Sequence, residues 1–317
     1  VIVTLTPNPS LDRTVEVPAL VRGAVLRARG GRVDPGGKGV NVSRALAAHG
    51  RATRAVVPVG GAEGAQLAAL LAPLGIEVHA VPVTGAVRAN VAVVEPDGTT
   101  TKLNELGPCL SGDEVEALLA AAVASADGAS WLAACGSLPP GAPVDLYARL
   151  AEAAHSAATR LVVDSSGPAL LAALEAGPDL VKPNREELAE AVGRPLGTLG
   201  DVVEAAAELV ARGAGAVLAS LGADGAVLVG PDGATYGESR VDRPVSTVGA
   251  GDAMLAGFLA AEAGAPAATA LASALAWGAA ATCLPGSRMP APHDLRPDAV
   301  RLHERIDPAR PLEEQPR

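Results

Sequence analysis

Aromatic side chains are almost missing from this sequence, with one Phe, two Tyr and two Trp in 317 residues. The core must therefore be filled by Leu, Val and Ala, and any flat ligand gripped by aliphatic walls rather than stacked rings. Positive charge is also scarce: 25 Lys and Arg against 35 Asp and Glu leave a formal charge of −10. That balance argues against a nucleic-acid backbone or an anionic membrane as partner. An anionic ligand would need cations gathered locally. Cysteine is limited to Cys109, Cys135 and Cys283, which are far apart and odd in number. They offer neither a disulfide framework nor metal-ligand spacing, so a reduced, cytoplasmic protein is expected. No charged-then-apolar leader precedes the first strand-like run, and no apolar stretch reaches membrane length. His49, His79, His155, His293 and His303 fit no metal or triad spacing and read as structural or exposed.

What the sequence has in quantity is alternation. "VIVTLTPNP" reads as a buried strand stopped by Pro7 and Pro9, and "GVNVSRALAAHG" as a helix closed by Gly50. "RAVVPVG", "IEVHAV", "WLAACG", "RLVVDSS", "DLVKPN" and "GAVLASLG" read as further strands. "AEGAQLAALLAPLG", "VDLYARLAEAAHSA", "REELAEAV" and "VVEAAAELVARG" read as helices between them. Strands alternating with helices predict an α/β fold with a mainly parallel sheet covered on both faces. Residues 12–33 and 87–104 break the rhythm and read as hairpins, the second with an Asp97-Gly98 turn. They predict a small secondary sheet, which is a lid, a dimer surface, both, or an ordinary edge hairpin. A single domain spans residues 1–310, with 311–317 as a tail; "DPARPLEEQPR" at the C-terminus reads as frayed.

Two glycine-rich loops carry the chemistry. "STVGAGDAMLAGF" (246–258) opens a helix, and its glycines leave backbone N–H groups free at the positive end of the helix dipole. Asp252 would repel an anion bound there, so it is either a helix cap or a group with chemical work to do. A Rossmann fingerprint needs Gly where Met254 stands. The chain's one Gly-Lys, in "GGKGVN", is not followed by Ser or Thr as a Walker loop requires. "DPGGKGVNVSRAL" (34–46) is the second loop; taken alone, it is either a ligand cradle or a tight strand-to-helix turn with an exposed lysine.

Together these loops resemble the ribokinase-like, or PfkB-type, sugar kinases. The likeness runs in order through "TPNPSLDRTVEV", "DPGGKGVNVSRALAAHG", "CGSLPPG", "VKPNREEL", "SLGADGAVL" and "STVGAGDAMLAGF". "TPNPSLDRTV", "TKLNELGP" and Lys38 within "GGKG" resemble the phosphosugar branch, that of 1-phosphofructokinases and tagatose-6-phosphate kinases. The second signature departs from the wider family, where Asp stands at the place of Ser246. This leaves transfer chemistry untouched but makes a monovalent cation less certain.

The resemblance implies a ribokinase-like fold with a small β-sheet lid. It implies ATP-dependent phosphorylation of a phosphorylated ketohexose, foremost fructose 1-phosphate to fructose 1,6-bisphosphate. Tagatose-6-phosphate kinase or 6-phosphofructokinase is the alternative, and a nucleoside kinase or a non-catalytic sugar-phosphate sensor is more distant. It implies Asp252 as general base, with Gly249, Ala250 and Gly251 presenting N–H groups to the transferring phosphoryl. On the sugar side it implies Asp12, Gly36, Gly37 and Asn41. Lys38, Arg88, Lys102 and, less strongly, Arg27 are the cations available to a substrate phosphate, with Ser137 as a neutral donor. On the nucleotide side it implies Lys182, Asn184, Ser220, Gly222 and Gly225. Asn184 and Glu187 lie three apart at a strand-to-helix junction and share a helix face. They are expected either to hold Mg²⁺, directly or through water, or merely to cap that helix. The expected ligands are ATP, Mg²⁺ and a phosphosugar, and the expected partner is a second copy bound through the lid.

Overall fold

The computed structural model describes residues 1–261 and 265–313. The strands are β1 (Ile2–Leu5), β2 (Ser10–Glu16), β3 (Gly30–Gly36), β4 (Thr53–Val59), β5 (Glu77–Pro82), β6 (Arg88–Val94) and β7 (Thr100–Asn104). They continue as β8 (Trp131–Cys135), β9 (Arg160–Asp164), β10 (Leu180–Val181), β11 (Val217–Ser220), β12 (Ala226–Gly230), β13 (Gly233–Ser239) and β14 (Val300–His303). The helices are α1 (Lys38–Ala48), α2 (Gly61–Leu71), α3 (Gly112–Ser125), α4 (Leu146–Ser156) and α5 (Gly167–Glu175). After them come α6 (Arg185–Val192), α7 (Leu199–Ala211), α8 (Ala250–Ala260) and α9 (Ala267–Thr282).

Successive residues of the central strands face opposite ways, and both sets are apolar. On β8, Leu132 and Ala134 enter the core packed by α3, α4, α5 and α7, while Trp131, Ala133 and Cys135 enter the one packed by α1, α8 and α9. The same parity holds on β9, where Leu161 and Val163 face one way and Val162 the other. Strands apolar on both faces belong in the middle of a sheet covered twice. The ten-stranded sheet has the order β14-β13-β12-β11-β10-β9-β8-β1-β4-β5. It is parallel from β5 to β11 and antiparallel from there to β14.

The two segments that broke the α/β rhythm are hairpins β2–β3 and β6–β7. Parallel pairing of β2 with β6 joins them into a separate four-stranded sheet, β3-β2-β6-β7. Two differences from the sequence reading have local causes. "DLVKPN" forms only the two-residue β10, because Pro183 has no N–H to give a ladder and the chain turns at Asn184 into α6. Residues 307–313 are not frayed. The Leu199 and Leu312 amides bond the Arg310 and Gly197 carbonyls at 3.0 and 2.9 Å, and the Leu312 side chain is buried. The rest of the tail lies outside the described residues.

Candidate active site

The C-terminal ends of β1, β8, β9, β10 and β11 open on one side of the sheet, where α/β folds place their ligands. α8 begins there. Its N-cap is Gly249, in the left-handed region at φ 79°, so the glycine and not Asp252 turns the chain into the helix. A Cβ at Gly249 would also press on the Met289 side chain. The Ala250 amide reaches back to the Thr247 carbonyl at 3.3 Å, a long bond, and the Gly251 amide beside Asp252 has no carbonyl one turn back.

Asp252 is buried, and its Oδ2 accepts a 2.8 Å hydrogen bond from Asn41 Nδ2, not from the helix it sits on. The capping alternative is therefore not what the geometry displays. Burial, with the negative charge of Asp164 added, pushes the Asp252 carboxyl up to about 6 against the pull of Asn41, Lys38 and Lys182. A carboxyl poised there is well matched to accept a proton near neutrality.

Asn41 is delivered by α1, whose entry explains the glycines. Gly37 caps it at φ 109°, and a Cβ there would strike Thr6 and Pro9. A Cβ at Gly36 would overlap the Asp12 carboxylate. Asp12 points from β2 into the same space. Its Oδ1 accepts from Ser10 Oγ at 2.7 Å and from Asn90 Nδ2 at 3.1 Å. Ser137 follows β8 and lies 3.4 Å from Asn8 Nδ2. Arg88, at the base of the lid, donates from Nη1 to Glu105 O (3.0 Å) and from Nη2 to Asn8 O (3.1 Å). It lines a cleft of about 400 Å³ with Asn104, Glu105 and Leu106.

Asp164 ends β9 with no solvent exposure and holds two cations, Lys38 Nζ at 2.8 Å and Lys182 Nζ at 3.1 Å. Burial alone would raise its pKa, but Lys182 and Lys38 outweigh that and hold it below the ordinary carboxylate range. Lys38 also reaches Glu187 Oε1 at 3.3 Å. Burial works against its charge, yet Asp164 and Glu187 raise its pKa on balance. Lys38 thus stands among carboxylates and is not one of the residues that line the Arg88 cleft. Asn184 and Glu187 form a reciprocal capping box on α6, with bonds of 2.8 and 2.9 Å. Ser220 bridges to Asn184 at the end of β11. Gly222 and Gly225 follow it in a tight turn, both at positive φ.

Arg27 and Lys102 are exposed, one between β2 and β3 and one on β7, and neither forms an ion pair among the described residues. Three residues that sequence reasoning missed belong to the site. Asp164 could have been found, since a carboxylate ending the apolar run "RLVVD" is an expensive residue without a purpose. Asn8 and Asn90 carried no such signal, because only the pairing of β2 with β6 brings Asn90 to Asp12.

A family model described as "pfkB family carbohydrate kinase" matches residues 7–294. The chain belongs to the pfkB family of carbohydrate kinases. It is 43% identical over 261 residues to the 1-phosphofructokinase of Rhodobacter capsulatus, a match spanning 81% of this chain and 82% of that protein. It is 39% identical over 257 residues to the ATP-dependent 6-phosphofructokinase isozyme 2 of Escherichia coli, spanning 80% and 83%. The crystal structure of phosphofructokinase-2 from Escherichia coli in complex with potassium superposes with a TM-score of 0.88 at 37% identity, covering 92% of this chain and 96% of that one. This chain is a sugar-phosphate kinase, and the kinase family implies ATP and Mg²⁺. Among the described residues no helix is long and apolar enough to cross a membrane.

Proposed function

We propose that this chain transfers the γ-phosphoryl group of ATP to fructose 1-phosphate, giving fructose 1,6-bisphosphate and ADP. The observation that carries the transfer chemistry is Asp252, buried beside the free N-terminus of α8 and bonded to Asn41. A base and an anion-stabilising helix end meet at one point, which is where an attacking hydroxyl and a transferring phosphoryl must also meet. Asp252 accepts the hydroxyl proton as that oxygen bonds to the γ-phosphorus. The bond to the bridging oxygen breaks and ADP departs. The N–H groups of Gly249, Ala250 and Gly251 face the charge on the equatorial oxygens.

Asp12, held by Ser10 and Asn90, reads sugar hydroxyls together with Asn41 and the Gly36–Gly37 backbone. Arg88 reads the substrate's own phosphate. Its guanidinium is held by two backbone carbonyls and by no carboxylate among the described residues, so its charge is uncommitted. Ser137 is the neutral donor beside it, and Lys102 a second cation on the lid. Lys38 would have to leave Asp164 and Glu187 to join them, so we assign it to the transferring phosphoryl. Lys182, Asn184, Ser220, Gly222 and Gly225 take the nucleotide side.

Mg²⁺ would supply charge neutralisation to the nucleotide phosphates, with Glu187, Asn184 and Asp164 as the nearby oxygen donors, directly or through water. The donors present suit that ion in kind: Asn184 and Glu187 offer the hard oxygens Mg²⁺ takes, and Mg²⁺ keeps waters and binds phosphate rather than needing an all-protein cage. The potassium in the Escherichia coli structure supports a monovalent cation as a further ligand. The lid supports a homodimer. Leu103 on β7 and Leu106 just beyond it are 62% and 80% exposed, more apolar surface than a lone small sheet leaves to water.

The second reading is a 6-phosphofructokinase, favoured by the named Escherichia coli relative. An ADP-release assay across fructose 1-phosphate, fructose 6-phosphate, tagatose 6-phosphate and fructose tests the proposal. The highest kcat/KM is expected for fructose 1-phosphate. A higher value for fructose 6-phosphate would establish the second reading, and one for fructose would overturn both.

A further inference from the structure

Asn41 is buried, so both ends of its amide need partners, and which end faces which partner decides what it can do. Its NH₂ faces Asp252 Oδ2 at 2.8 Å. Its oxygen accepts a 2.9 Å hydrogen bond from Arg44 Nη1, three residues further along α1. The second hydrogen on the same nitrogen goes to the carbonyl of Pro35 at 3.0 Å, immediately before the Gly36–Gly37 turn. A guanidinium carries donors only. It therefore accepts one orientation of the amide and refuses the other: oxygen toward Arg44, NH₂ toward Asp252. A turned amide would set an oxygen against a carboxylate, acceptor against acceptor.

We infer that Arg44 is a positioning residue for phosphoryl transfer, locking the Asn41 amide with its NH₂ on the catalytic carboxylate and bracing the sugar-binding glycine turn through the Pro35 carbonyl. It touches neither reacting atom. Its charge lies in the field of Asp34, Asp12, Asp252 and Arg32. α1 itself is anchored by Val42, Ala45 and Leu46 in the apolar cores, with Val40 on the other side, so the helix does not depend on Arg44 for its place. The two bonds divide the role. The one to Asn41 serves the chemical step, and the one to Pro35 serves the shape of the sugar pocket against Asp12.

The inference rests on the kinase reading, and the experiment separates the two. Steady-state kcat and KM are measured with ATP and the best phosphoketose for the unsubstituted chain, Arg44→Met, Asn41→Ala and the double variant, with thermal unfolding confirming that each is folded. Arg44→Met is expected to lower kcat by about 10- to 100-fold, the scale of a misplaced catalytic group, to raise the sugar KM, and to leave the ATP KM unchanged. In the Asn41→Ala background it should lower kcat no further, because the group it positions has gone, while the rise in sugar KM persists. Arg44→Lys keeps the charge without the fork and should show a smaller kcat loss that also vanishes beside Asn41→Ala. It carries the test if Arg44→Met does not fold. Losses in kcat that multiply in the double variant overturn the inference and make Arg44 a structural cation. A chain without phosphosugar turnover before any substitution overturns the function proposed above, and this role with it.

Discussion

Asp252 is held against its own stability. Burial raises its folded-state pKa from 3.8 to about 6, so at pH 8 the folded chain carries an ionised carboxyl whose charge is less favourable than in the unfolded chain. The penalty is present above about pH 6 and gone below about pH 4, where both folded and unfolded carboxyls are protonated. Asp252→Asn should therefore unfold at a higher temperature than the unsubstituted chain at pH 8, by on the order of 1–3 kcal/mol of added stability, with the gain shrinking to nothing near pH 4. Calorimetry across that range checks it, and a lower melting temperature at pH 8 would mean the carboxylate is well solvated. The same balance explains a residue that sequence alone undervalued. The Asp164 carboxylate is affordable in the core because two lysines meet it, and their convergence depends on β10 pairing with β9 and on the start of α1 reaching the end of β9. Gly36 makes a simpler case. Gly36→Ala would set a Cβ against the Asp12 carboxylate and should raise the sugar KM roughly tenfold or more while leaving the ATP KM unchanged, as a two-substrate titration would read out.

Elements were legible where one face or two had a clear period. The apolar parity of β8, β9 and β11 and the glycine-closed α1 could be read directly, because a sheet covered twice imposes that pattern. The hairpins were visible as departures from it. A small sheet built from them was expected, but the parallel register of β2 on β6 was not, since the two strands are distant in sequence and no local signal marks a partner strand. α6 shows why one motif supports two readings. Its capping box occupies Asn184 Oδ1 and Glu187 Oε2, yet Glu187 Oε1 is turned to Lys38 and the centre of the site. Glu187→Gln keeps an acceptor for the Asn184 amide and removes the charge. It should leave the melting temperature nearly unchanged and raise the Mg²⁺ concentration for half-maximal turnover by about tenfold. An unchanged Mg²⁺ titration would confine Glu187 to capping.

The whole molecule must bring two anionic substrates onto a chain of formal charge −10. Its answer is local: Lys38, Lys182, Arg44 and Arg88 gather around the strand ends and the base of the lid. The proposed homodimer rests on the lid's outer leucines, Leu103 and Leu106. Sedimentation at micromolar concentration should show a dimer, and Leu103→Asp with Leu106→Asp should yield monomers of unchanged melting profile in the main domain. A monomer before substitution would remove the lid from that role. In the proposed function, Asp252 directs the γ-phosphoryl of ATP onto a sugar that already bears a phosphate. ³¹P NMR of the chain with ATP, Mg²⁺ and fructose 1-phosphate tests it most directly. A second phosphoester signal should grow with ADP, one for one, and be slowed about 10²-fold or more by Asp252→Asn. Inorganic phosphate appearing in its place, with the sugar unchanged, or transfer undiminished in Asp252→Asn, would contradict it.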